Sequence, residues 1–353
     1  MRLLSLFTQK SPEHLKAVTT ALVKLLFWLS LTAIYPLSGM AQEVDWDIYK
    51  QRFVSDSGRV IDTYNNNISH SEGQGWGMLF AEANDDKASF DLLWRWSRKN
   101  LARKDALLFS WRYDPAVTPA VKDPNNASDG DILIAWALHK AAKRWKDPNY
   151  ETASAAIRAD IHELLIKEYG GYTLLLPGLE GFSTADSIDI NLSYWVIPAF
   201  VDFALQEPAK KWAKLITDGQ RLLAASRFGE HALPVDWIRI TAKGELSPSP
   251  DWPARFSYDA VRIPMYFIWG SSLTSELEQP FKAYWKRQDL ILPWVDVLTG
   301  ETASYLAPTG IVAVRSLVYQ DYSFVIRPPS EQDDYFSTSL LMLSKLAAES
   351  ARH

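Results

Sequence analysis

Three short acidic motifs hold the side chains of this sequence best placed to move protons. They are Ser71-Glu72-Gly73-Gln74-Gly75-Trp76-Gly77, Ala127-Ser128-Asp129-Gly130-Asp131 and Phe256-Ser257-Tyr258-Asp259-Ala260. Two carboxyls facing one bond can hydrolyse it. One delivers a proton to the leaving oxygen, while the other, ionised, attacks or activates a water. Taken singly, each acid also reads as a helix cap. Ser69 to Glu72 and Ser71 to Gln74 both fit a capping box, and Ser128 or Asp129 would cap a helix alone. A helix N-terminus favours an ionised carboxylate. That suits a base and opposes a proton donor, whose pKa must be raised by burial or by neighbouring carboxylates. Arg262 lies three residues after Asp259, so on a helix the two are neighbours. A guanidinium there would orient the carboxylate and keep it ionised, although the spacing also fits an ordinary intrahelical ion pair. The glycines after Glu72 each cost a helix about 1 kcal/mol relative to alanine. They read as bare backbone on which a ligand could lie beside the acid.

Helical periodicity predicts the elements that must position these acids. Helices are expected over 71–84, 86–101, 128–145, 149–169, 191–206, 208–226, 257–269, 272–287, 309–319 and 333–349. In the first four pairs one member is apolar nearly all round, as in Ile132-Leu133-Ile134-Ala135-Trp136-Ala137-Leu138, and its partner is amphipathic. The first kind is buried and the second faces solvent on one side. Their alternation predicts an all-α fold of two concentric helical rings, an α/α toroid. The acidic motifs open three of the buried helices, so all three acids would converge at one mouth. Long connections (102–127, 170–190, 227–256 and 288–308) read as functional. Strand-like stretches at Tyr172–Leu176 and Val235–Ile240 predict a small β-ribbon within them. Many of the fifteen tryptophans and fifteen tyrosines fall in such connections, Trp111 among them. Flat rings with a polar edge suit the C–H face of a sugar. Trp111 and Trp76 are taken as candidate substrate-binding rings.

Residues 1–41 read as a cleaved export signal. Basic residues precede the apolar run Leu25–Ile34, and Gly39-Met40-Ala41 offers the small residues a signal peptidase needs. Although the long basic leader also fits an uncleaved N-terminal anchor, the run is short for a membrane span. This predicts a periplasmic or secreted protein whose residues 42–353 form a single domain. The signal carries four basic residues and one acid, so its removal takes the net charge from −5 to −8. Such a balance gives no electrostatic reason to bind nucleic acid or an anionic membrane. There is no cysteine, and the six histidines fall in no metal-binding spacing. No metal or cofactor is expected.

The three motifs, the second extended by Ala135, Ala141 and Trp145 and the third by Val261 and Arg262, resemble the hallmark blocks of glycoside hydrolase family 8 in order and content. His139 departs from the second block, where an aliphatic residue or glycine is usual. Trp46–Phe53 and Gly58–Asp62 are similar to the endoglucanase subgroup associated with bacterial cellulose synthesis. The resemblance implies an (α/α)6 barrel that hydrolyses β-1,4-glucan with inversion. It implies Glu72 as general acid and Asp259 as general base, with Asp129 on the distorted sugar. By the same resemblance Arg262 holds the base, and Tyr194 of Asn191-Leu192-Ser193-Tyr194 lines that subsite. Inversion implies acid and base about 6.5–9.5 Å apart. A glucan chain is the expected partner of a monomer, with the cellulose synthesis and export machinery as a further partner. Alternatives are another family 8 specificity (chitosanase, xylanase or mixed-linkage glucanase) and a scaffold that binds glucan without cutting it. A polysaccharide lyase would want a basic cleft.

Overall fold

The structure, a computed structural model, describes residues 43–288 and 290–351, so the expected export signal lies outside the described residues. After an opening helix, α1 (43–53), come α2 (Ser71–Ala83), α3 (Lys87–Asn100), α4 (Ser128–Trp145), α5 (Pro148–Asp160), α6 (Ile197–Gln206) and α7 (Trp212–Ala225). They are followed by α8 (Arg262–Trp269), α9 (Ser275–Lys286), α10 (Thr309–Val318) and α11 (Tyr335–Ser350). The all-round apolar helices form the inner ring. Side-by-side packing runs α2–α4–α6–α8–α10–α11, and α11 returns to α2. Every residue from Ser128 to His139 in α4 is buried. By contrast α3 buries one stripe, Phe90, Leu93, Trp96 and Ser97, against α2. With α5 packed on α4 and α7 on α6, the outer layer follows. The fold is the expected (α/α)6 barrel.

Helix α1 was not among the predicted elements. Trp46, Tyr49 and Phe53 bury one face of it, and Tyr49 meets Phe80 of α2 edge-on with ring centroids 5.0 Å apart.

Three expected helices are shorter than their periodicity suggests. The one over 149–169 stops at Asp160, passes through a π-turn (Ile161–Leu165) and becomes strand β3 (Ile166–Tyr169). Gly170 and Gly171, with φ of 57° and 80°, then turn the chain so that β3 pairs with β4 (Tyr172–Leu175). The 191–206 helix begins as a single 3₁₀ turn, Leu192–Tyr194, before α6 starts. The 257–269 helix starts only at Arg262, which leaves Asp259 in the turn before it. In place of one ribbon, the described residues hold four small antiparallel sheets. In the largest, Ser187–Ile190 and Leu246–Pro248 flank Ile238–Thr241.

Candidate active site

The N-termini of α2 and α4 meet at the barrel mouth. Helix α2 is capped by His70, whose backbone is extended and whose Nδ1 accepts from the Gly73 amide at 3.0 Å. The serines expected to cap it do otherwise: Ser69 donates to the Val60 carbonyl, and Ser71 Oγ is buried without a hydrogen bond. Glu72, one residue into the helix, is thus free of a capping role. Asp129 occupies the same place in α4, where its Oδ1 accepts from the adjacent Gly130 amide at 2.7 Å. A side chain on Gly130 would collide with Ser71 and the Glu72 amide, so glycine lets the two helix starts touch. Asp131, fully buried, accepts from the Phe109 amide (2.8 Å) and from Asn126 (2.7 Å). Asn126 in turn accepts from the Leu179 amide, so two long connections are tied to the start of α4.

Asp236 shapes the turn that carries Asp259. Its carboxylate accepts from the amides of Ser257 (3.1 Å) and Ala260 (2.8 Å) and from the Ser257 hydroxyl. Asp259 Oδ2 accepts from Asn191 at 2.9 Å, and its Oδ1 from Arg262 at 2.7 Å. The buried Arg262 guanidinium also donates to Glu72 and, at 3.1 Å, to Ser193 Oγ. One arginine therefore joins Glu72 to Asp259.

The local field is crowded with like charge. Burial raises Asp129 to about 7, against the hydrogen bond from the Gly130 amide. Burial and Asp129 raise Asp131 to about 8. Asp236 rises to about 6 through burial, held back by the hydrogen bonds it accepts, that from the Ser257 hydroxyl foremost. Burial, then Asp236 and Asp129, push Asp259 to about 8. Asp259 is only half-buried, however, and Arg262 beside it works the other way. Tyr194 is held protonated by burial and by the same three carboxylates, Asp129, Asp259 and Asp236. These groups cannot all ionise together.

The structure thus brings Glu72, Asp129, Asp259, Arg262 and Tyr194 together. Trp111 sits at the rim, its carbonyl accepting from the Ser71 amide and its indole donating to Asp123 at 2.8 Å. It lines a surface cavity of 260 Å³ with Arg112, Asp114 and Lys122. Trp76 corrects the sequence reading. It is fully buried, donates to Tyr266 and packs under Arg262, so it floors the site and offers no face to a sugar. The bare-backbone reading of the glycines is corrected too. A Cβ at Gly75 would stand 2.5 Å from Leu133 Cβ, one at Gly77 2.9 Å from Val60, and one at Gly73 against Tyr335 and His70. They face protein, and they let α2 lie close to its neighbours.

Sequence reasoning missed His70, Asn191, Ser193 and Asp236 as site residues. Asn191 and Ser193 flank Tyr194 and were within reach. Asp236 was hidden in a stretch read only as strand. Beside it Trp237 stacks on Trp252 (centroids 4.3 Å apart) and on Phe182 (5.5 Å), with the Tyr194 ring against its edge.

An α/α toroid with carboxyls and one shared arginine gathered at its mouth defines a hydrolase of the acid–base class. The family model for glycosyl hydrolases family 8 matches residues 17–350, and the chain belongs to this family. Among its relatives, a probable endoglucanase of Novacetimonas hansenii is 41% identical over 305 residues, 86% of this chain and 89% of that protein. An endoglucanase of Cellulomonas uda is 41% identical over 288 residues, 81% of this chain and 80% of its own. Among solved structures, the endo-β-1,4-glucanase CMCax from Acetobacter xylinum superposes with a TM-score of 0.82 at 38% identity. That match covers 89% of this chain and 99% of the other.

Proposed function

We propose that this family 8 glycoside hydrolase is an endo-β-1,4-glucanase that cleaves with inversion, Glu72 acting as general acid and Asp259 as general base. The observation that carries the roles is the shared guanidinium of Arg262, which fixes both carboxyls at one mouth. Asn191 and the turn built on Asp236 aim Asp259, and the nearness of Tyr194 to Asp129 and Asp259 supports a role for Asp129 and Tyr194 in holding the sugar. Burial, then Asp236 and Asp129, raise Asp259 and strengthen it as a base, while the Arg262 guanidinium favours the ionised form from which it must act on water. Glu72 must leave its ion pair with Arg262 and be protonated before it can donate. The names of relatives 41% identical to this chain support the glucan specificity. The segment 1–41 supports export to the periplasm or beyond, and the likeness of Trp46–Phe53 to the cellulose-synthesis subgroup supports nascent cellulose as the substrate of a monomeric enzyme.

The test is turnover of cello-oligosaccharides and carboxymethylcellulose, with chitosan as the competing polymer. Glu72→Gln and Asp259→Asn should each lower kcat by at least about 10²-fold while glucan binding persists. NMR of the first-released anomer should show inversion. Turnover near wild type in Glu72→Gln would sink its role as donor, and a retained anomer would sink inversion.

A further inference from the structure

We propose that His70 is a positioning residue. Its neutral imidazole caps the helix that presents Glu72, so the acid loses its placement when the ring takes up a proton. The Gly73 N–H can only donate, so Nδ1 at 3.0 Å must carry the lone pair and the ring proton must sit on Nε2. Nε2 faces Asp62 Oδ2 at 3.7 Å, while Asp62 Oδ1 accepts from the amides of Tyr64 and Asn65. Nδ1 itself lies 4.0 Å from Glu72 Oε2. The ring is wedged edge-on against Tyr335 (5.6 Å between centroids) and Trp76 (6.4 Å). A Cβ on Gly73 would come within 3.1 Å of the ring, so the missing side chain at that position lets the imidazole reach the helix end.

The charged and titratable groups around it come from every neighbouring element. Asp62 lies in the preceding loop, Glu72 on α2, Asp129 on α4 and Tyr335 on α11. Arg112 is the strand partner of His70, and Arg262 of α8 binds Glu72. A proton on Nδ1 turns the acceptor into a donor facing another donor, which breaks the cap. It also sets a cation beside Glu72, which favours the carboxylate over the proton-bearing form the reaction needs. Both effects act on the chemical step rather than on glucan affinity.

This inference rests on Glu72 as proton donor, and the experiment separates the two claims. Wild type, His70→Asn and His70→Ala are compared for kcat and KM on cellohexaose from about pH 4 to 8, with ¹⁵N NMR of the wild-type imidazole. Asparagine can accept from the same amide without titrating. His70→Ala should lower kcat on the order of tenfold with KM nearly unchanged. His70→Asn should recover most of that loss at neutral pH and hold its activity further into acid than wild type. The NMR should show the Nε2–H tautomer, titrating where the wild-type and asparagine profiles diverge. A wild-type kcat in His70→Ala, an asparagine variant as impaired as alanine, or an Nδ1–H tautomer would each overturn the proposal. If Glu72→Gln retains turnover, the donor role fails, while the tautomer seen by NMR still decides whether His70 caps the helix.

Discussion

Asp129 sets a buried carboxyl among other carboxyls at the mouth. It is buried, and its pKa is raised to about 7 chiefly by that burial. A carboxyl raised in the folded state contributes full stability below its unfolded value of about 3.9, and that stability is lost as pH rises through about 7. Asp129→Asn keeps an oxygen for the Gly130 amide and removes the charge. We expect the variant to match wild type in urea unfolding near pH 4, where both side chains are neutral. Near pH 8 it should be more stable by about 1–2 kcal/mol, while turnover falls on the order of 100-fold. A variant less stable than wild type at pH 8 would mean that Asp129 is stabilised as a carboxylate. At this scale the sequence was informative where a motif opens a helix at the mouth, as at Glu72 and Asp129, and where it sets Asp259 beside Arg262. It was silent on Asp236, whose use depends on a turn that lies 21 residues further along the chain.

At the scale of elements, the α2–α4 contact sets the position of the acids. Gly75 lies one turn beyond Glu72, and its missing Cβ is where Leu133 packs. Alanine there would gain about 1 kcal/mol in helix propensity. The same methyl would force apart helices whose backbones are within reach, since Ile134 N is only 3.2 Å from its position, at a cost of about 1–3 kcal/mol. Packing wins where it exceeds the propensity gain. Gly75→Ala should therefore unfold at lower urea and lose kcat, because the starts of α2 and α4 move together. Unchanged stability would show that the α2–α4 seam relaxes freely. The inner helices were legible because their apolar runs are long. The misread elements are those in which a local turn overrides periodicity. Gly170-Gly171 reverses what looks like helix into a hairpin, and the Asp236 carboxylate holds Ser257–Ala260 in a turn where periodicity alone continues α8.

The whole molecule works because its ends close the ring, and this was least legible, since periodicity says nothing of contacts between distant segments. Lys345 of α11 donates to Asp45 of α1 across 300 residues and, at 2.6 Å, to the Arg327 carbonyl. Both partners are buried, and burial raises Asp45 while Lys345 opposes the rise. A buried pair adds little net stability by its attraction, but removing one partner strands the other charge at about 3–5 kcal/mol. Lys345→Met should cost that much in urea unfolding near pH 7 and less in acid, where Asp45 takes up a proton. Asp45→Asn combined with Lys345→Met should be more stable than the single variant, because no carboxylate is left unpaired. Lys345 lies ten residues beyond Tyr335, which is about 15 Å along the helix from the end that abuts Gly73. In the cold, where the single variant stays folded, its kcat should therefore match wild type. A loss under about 1 kcal/mol would place the closure of the ring in the aromatic contacts of Tyr49 and Phe53 with Tyr335 instead.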